Sequence, residues 1–139
     1  MRLLSLVSVL ALPSVSFAQP AVVVPAAPVA PAVPDLSGKW SGYWVSDKNG
    51  HTGPLHAKFT PQGSDSYSVT YRGRFALVVP FRYKTTMQVT GTGDGVVVLS
   101  AEKRLGPIGT FRTTATATPT NFDANFTSRN DRGRFVLRR

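Results

Sequence analysis

The stretch Asp35-Leu36-Ser37-Gly38-Lys39-Trp40-Ser41-Gly42-Tyr43-Trp44 decides how the rest of the chain is read. Gly38, Trp40, Gly42 and Trp44 share one parity. An extended backbone therefore puts both indoles and two glycines on one face, with Lys39, Ser41 and Tyr43 on the other. The pattern predicts a first strand with one buried aromatic face and one solvated face. Upstream of it the texture of the chain is different; downstream the alternation continues.

Upstream, residues 1–18 hold a single cation at Arg2, an apolar run from Leu3 to Leu12, then Pro13 and a close at Ser16-Phe17-Ala18. This is the pattern of a secretory signal peptide, cleaved after Ala18. The apolar run is far shorter than the ~20 residues of a membrane-spanning helix. Residues 19–34 are nearly all Pro, Ala and Val, with Pro20, Pro25, Pro28, Pro31 and Pro34 removing backbone donors at short intervals. They are expected to form a linker of polyproline-like character, rising ~3.1 Å per residue where extended. Residues 35–139 are expected to form one all-β domain, exported to the periplasm, the cell envelope or the medium.

The 139 residues include no cysteine, which excludes a disulfide framework, a thiolate zinc site and a cysteine nucleophile. The formal charge is +9, and the leader would take only Arg2 with it, so the basicity belongs to the domain. A chain so basic favours anionic partners.

All twelve glycines lie beyond Pro34. Turn signals recur there every ~8–12 residues, the spacing of a sandwich or barrel. Eight strands are predicted, over 38–46, 51–60, 66–75, 80–90, 96–104, 108–118, 121–128 and 133–138. Lys48-Asn49-Gly50, the cluster Gly91 to Gly95 and Asn130-Asp131-Arg132-Gly133 supply turns that tolerate positive φ. Phe122, Ala124 and Phe126 alternate with Asp123, Asn125 and Thr127, and Phe111, Thr113, Ala115 and Ala117 with Arg112, Thr114, Thr116 and Thr118. Ala76-Leu77-Val78-Val79-Pro80 reads as a hydrophobic hairpin tip. With no crossover helix in the pattern, a single small antiparallel up-and-down β-barrel is the economical topology, because closure leaves no exposed strand edge.

Leu36-Ser37-Gly38-Lys39-Trp40 resembles the first strand of the calycin barrels, the lipocalin and avidin group. That resemblance implies a Trp40 buried at the closed end of the barrel and stacked on an arginine of the last strand, Arg134 or Arg138, with Arg138 the choice. A longer texture resembles a group of small secreted planctomycete proteins to which no activity is attached. It comprises Gly38-x-Trp40-x-Gly42-x-Trp44, Gly50-His51-x-Gly53-Pro54-Leu55, Tyr71-x-Gly73-Arg74-Phe75, Pro80-Phe81-Arg82-Tyr83 and Asp131-x-Gly133-x-Phe135.

Candidate chemistry is sparse. Asp47, Asp65, Asp94 and Asp131 sit in turn contexts where Asp serves the backbone. His51 and His56 have no third ligand nearby, so no metal spacing is legible, and the Gly91–Gly95 cluster has no following helix to hold a phosphate; no cofactor is implied. An envelope hydrolase or isomerase would have to draw on Glu102 or Asp123 with His56. The richer candidate is the basic-aromatic stretch Tyr71 to Lys84. Pairing Phe75 with Phe81 sets Arg74 opposite Arg82 and Arg72 opposite Lys84, a ladder of like charge that calls for anions, solvent or aromatic planes to offset it; a register shifted by one sets each Arg against an aromatic. Arg72, Arg74, Arg82 and Lys84 form either a solvated outer face or an anion-binding surface, and are the candidate anion-binding residues. Tyr71 and Tyr83 take the opposite parity, which argues against base stacking on nucleic acid. The expected function is a non-catalytic module that binds an anionic envelope polymer or a small ligand, the surface being favoured over the lumen.

Overall fold

A computed structural model describes residues 21–28 and 33–139. The predicted leader, residues 1–18, and part of the predicted linker lie outside the described residues; residues 21–28 carry no helix or strand. Eight strands follow: β1 (Gly38–Ser46), β2 (Thr52–Gln62), β3 (Ser66–Phe75), β4 (Val79–Gly93), β5 (Val96–Arg104), β6 (Thr110–Ala117), β7 (Asn121–Thr127) and β8 (Arg132–Arg138). One 3-10 turn, Gly106–Ile108, joins β5 to β6. Each strand pairs antiparallel with the next, and β8 returns to β1 to close the barrel. The single small up-and-down barrel read from the turn spacing is the observed fold.

Period-two alternation fixes which face is inside. Leu55, Ala57 and Phe59 of β2 are buried while Pro54, His56 and Lys58 are exposed, and Phe122, Ala124 and Phe126 of β7 repeat the pattern. At the end where the chain joins the barrel, Trp40, Phe59 and Phe122 pack with ring centroids 5.2–6.3 Å apart. The Trp40 indole N–H donates to the Leu36 carbonyl at 2.9 Å, so its one polar atom is satisfied inside the core. Further along the barrel Tyr71, Tyr83, Phe111, Phe126 and Phe135 form a second aromatic cluster. Trp44 marks the far end, edge-on to Phe75 at 5.1 Å and donating to the Arg74 carbonyl at 3.1 Å.

The seam between β1 and β8 depends on Gly42. A Cβ there would overlap the Val136 carbonyl, so only glycine admits the two backbones at this distance. Gly38 opens β1 at φ 110°, in the left-handed region.

The structure corrects three expectations. β4 runs on to Gly93 with a bulge between Val89 and Gly91, and only Asp94 and Gly95, at φ 51° and 75°, make the turn. Neither expected register of β3 on β4 forms: Arg72 faces Arg82, Arg74 faces Pro80 and Phe75 faces Val79, two residues from the ladder that paired Phe75 with Phe81. The cause is Gly73. Phe81 pairs with it and lays its ring over the space a side chain would fill, with ring atoms 2.5 Å from where a Cβ would stand. The third correction concerns the cation on Trp40. Arg138 points outward to Asp123, and Arg139 lies over the indole at 4.4 Å. Arg139 has the inward parity of Phe135 and Leu137, which Arg138 lacks.

Candidate basic face of strands β1 to β4

The outer surface of β1 to β4 has an unusual charge balance. Lys39, Lys58, Arg72, Arg74, Arg82 and Lys84 lie on these strands, and none of the seven acidic residues does. All six alternate with inward-facing neighbours and are exposed.

The pairing registers assemble five of them, all but Arg74, into two rows. Ser41 faces His56, His56 faces Arg72, and Arg72 faces Arg82 across four adjacent strands. Two residues along, Lys39 faces Lys58, Lys58 faces Thr70, and Thr70 faces Lys84. At about 4.8 Å between strands each row spans about 14 Å, and the rows lie about 7 Å apart. Lys39 with Lys58 and Arg72 with Arg82 are like charges set directly opposite, an arrangement that costs stability in a sheet.

Three of the carboxylates outside these strands are engaged in ion pairs of their own. Glu102 pairs with Arg112 at 2.9 Å, Asp123 with Arg138 at 3.2 Å and Asp47 with Arg134 at 3.7 Å. The Glu102 carboxylate accepts a hydrogen bond from the Arg112 side chain, which raises the Arg112 pKa. Among the described residues no salt bridge reaches the six cations of β1 to β4.

Two shallow depressions, of about 670 and 610 Å³, lie along this face and share His56, Arg72 and Arg82. The larger extends over Lys39, Ser41, Lys58, Thr70 and Lys84; the smaller runs past Arg74 to Pro80 and Phe81. Ser41 Oγ and His56 Nδ1 are 3.1 Å apart, holding the imidazole in the upper row.

All four predicted cations are on this face, although Lys84 stands beside Thr70 in the second row and Arg74 beside Pro80, not beside other cations. Lys39 and Lys58 complete it. Their parity was readable from the sequence, but their partnership depends on β1 lying beside β2 with Lys39 opposite Lys58. Tyr71 and Tyr83 turn into the lumen and stack on each other at 6.0 Å. Burial pushes both phenols up in pKa.

The residues of the hydrolase or isomerase alternative are not brought together. His56 faces out from β2 beside Ser41, whereas Glu102 and Asp123 face out from β5 and β7 in ion pairs of their own. Among the described residues no three His, Asp or Glu side chains converge.

No family model matches the chain, and no curated protein does. Among solved structures, a redesigned β barrel, mFAP1, bound to DFHBI, is similar: 18% identity, a TM-score of 0.56, 75% of this chain and 94% of that one. The likeness carries the fold alone, a small closed β-barrel.

Proposed function

We propose that the chain is an exported, non-catalytic binding module whose outer basic face engages an anionic polymer of the cell envelope. A leader over residues 1–18 would direct export, and a linker over 19–34 would join the domain 35–139 to it. The observation that carries the reading is the pair of cross-strand rows: four strands with six exposed cations, no carboxylate, and like charges held opposite one another. Such a face is costly by itself and is relieved by a partner that presents repeated anions. Arg72 and Arg82 would grip phosphate or carboxylate groups by paired N–H donors, and Lys39, Lys58 and Lys84 would act as point charges.

The similar barrel, mFAP1, is bound to DFHBI, which raises a small ligand in the lumen as the second reading. Here Trp40, Phe59, Tyr71, Phe122 and Leu137 are fully buried inside the barrel, and the open depressions described above lie on its outside. The surface is therefore the better-supported site.

Affinity for heparin, used as a model polyanion, should fall steeply and log-linearly with salt. Arg72→Gln with Arg82→Gln should flatten that slope while the far-ultraviolet spectrum stays that of a β-barrel. Salt-independent binding, or a slope unchanged in the double variant, would contradict the reading.

A further inference from the structure

The hairpin between β3 and β4 ends in seven consecutive apolar residues, Phe75-Ala76-Leu77-Val78-Val79-Pro80-Phe81, bounded by Arg74 and Arg82. Phe75 is 47% exposed, Leu77 68%, Val78 76% and Val79 55%. Exposed apolar residues scattered singly are ordinary, but a contiguous set at the tip of a projecting hairpin is the signature of a contact surface.

The tip is built to project. Ala76 and Leu77 hold φ of 48° and 63°, a left-handed conformation that is unfavourable for residues with a Cβ. The turn is closed by the Val78 N–H donating to the Phe75 carbonyl at 3.1 Å. Beneath it, Phe75 rests on Phe81 at 4.5 Å and on Trp44 at 5.1 Å, so an aromatic base supports the exposed Leu77 and Val78. The base is anchored in turn by the Trp44 indole bonded to the Arg74 carbonyl.

We infer that this tip docks the barrel onto a bilayer rich in anionic lipid, with Leu77, Val78 and Val79 entering the interfacial region and Arg72, Arg74 and Arg82 meeting the headgroup phosphates. Charge complementarity selects the occupant: the apolar segment is bracketed by arginines, and the four strands that carry the face hold no carboxylate. Shape agrees. A stable protein partner needs about 800 Å² and ~20–30 residues a side, which a convex tip of a few side chains does not offer. The remaining outer surface alternates polar against an apolar interior, the reverse of a bilayer-spanning barrel, so the contact is peripheral. The inference shares its arginines with the polymer-binding reading, but the tip is independent of that reading.

The test compares vesicles of phosphatidylcholine alone with vesicles containing about 30% phosphatidylglycerol, using the chain as its host produces it, and follows heparin binding in parallel. The chain should sediment with the anionic vesicles at least about tenfold more tightly than with the neutral ones. Leu77→Ser with Val78→Ser should weaken vesicle binding by about tenfold or more and leave heparin binding unchanged. The indole of a Leu77→Trp variant should shift its emission to the blue on anionic vesicles and be quenched by brominated acyl chains. Vesicle binding undiminished by the serine pair, or a Leu77→Trp emission that stays put while the protein is bound, would overturn the inference and leave the polymer-binding reading standing. Self-association abolished by the serine pair, with no vesicle binding, would overturn it in favour of a second copy of the chain. Loss of heparin binding with vesicle binding intact would instead remove the polymer-binding reading alone.

Discussion

The guanidinium of Arg139 lies 4.4 Å from the centroid of the Trp40 ring and donates to the carbonyls of Asp35, Ser37 and Pro119. One side chain at the end of the last strand thus covers the buried indole of the first and ties down the segment that leads into β1. The Asp35 side chain accepts hydrogen bonds from the Ser37 hydroxyl and backbone N–H, which lower its pKa, so the same segment is also folded on itself.

Trp40→Ala should cost ~3–5 kcal/mol of stability, the loss expected for truncating a buried aromatic. Arg139→Ala should couple to it by ~0.5–2 kcal/mol in a double-mutant cycle. Arg138→Ala, which breaks an exposed pair with Asp123 and hydrogen bonds to the Phe122 and Leu137 carbonyls, should cost about 1–2 kcal/mol and show no coupling to Trp40. Denaturant unfolding of the set measures all three; coupling at Arg138 instead of Arg139 would reverse the assignment.

Gly42→Ala should destabilise the barrel by at least ~1–3 kcal/mol, because its Cβ meets the Val136 carbonyl across the β1–β8 seam and neither backbone can retreat without opening the ladder. Gly93→Ala, where a Cβ meets nothing within 4 Å, serves as the control and should stay within ~0.5 kcal/mol. Similar losses in urea unfolding at both sites would show that the seam is not tight.

Lys58→Gln should leave thermal stability unchanged or raise it by ~0.2–1 kcal/mol, since it removes a like charge directly opposite Lys39. Arg82→Gln, opposite Arg72, should behave likewise. Calorimetry at low salt is the measurement, and a clear loss of stability in both would mean that the rows are structural.

The phenols of Tyr71 and Tyr83 are raised in pKa by burial, Tyr71 the more strongly. Each has a folded pKa above its unfolded value of about 10, so the stability it contributes is fully present below pH ~10 and is lost as the pH rises further. Absorbance at 295 nm should therefore show Tyr71 ionising only together with the loss of the barrel's circular dichroism, and Tyr83 ionising above the ordinary phenol range. Ionisation of Tyr71 in a still-folded chain would contradict its place in the lumen.

Most of the strand plan was legible because period two, glycine turns and Asp94-Gly95 are local signals, and the inward placement of Trp40 and Trp44 followed from parity alone. What was not legible lay across strands. The β3–β4 register is set by Gly73 making room for the Phe81 ring, a relation between two strands that neither strand's pattern contains. Arg139 was missed although its parity with Phe135 and Leu137 pointed inward, because it stands one residue past the last strand. The basic face was half visible: Arg72, Arg74, Arg82 and Lys84 stand close together in the chain, while Lys39 and Lys58 join them only through the order of strands in the barrel.

On the proposed reading, location and not total charge makes this surface a polyanion site. Two triple variants of equal net charge test it most directly: Lys58→Gln, Arg72→Gln and Arg82→Gln on the face, against Arg104→Gln, Arg129→Gln and Arg132→Gln outside β1 to β4. Heparin affinity at ~0.1 M salt should fall by about 100-fold or more in the first and by no more than a few-fold in the second. Equal losses in the two would show that the chain binds polyanions through its net charge alone, and the face would have no special role.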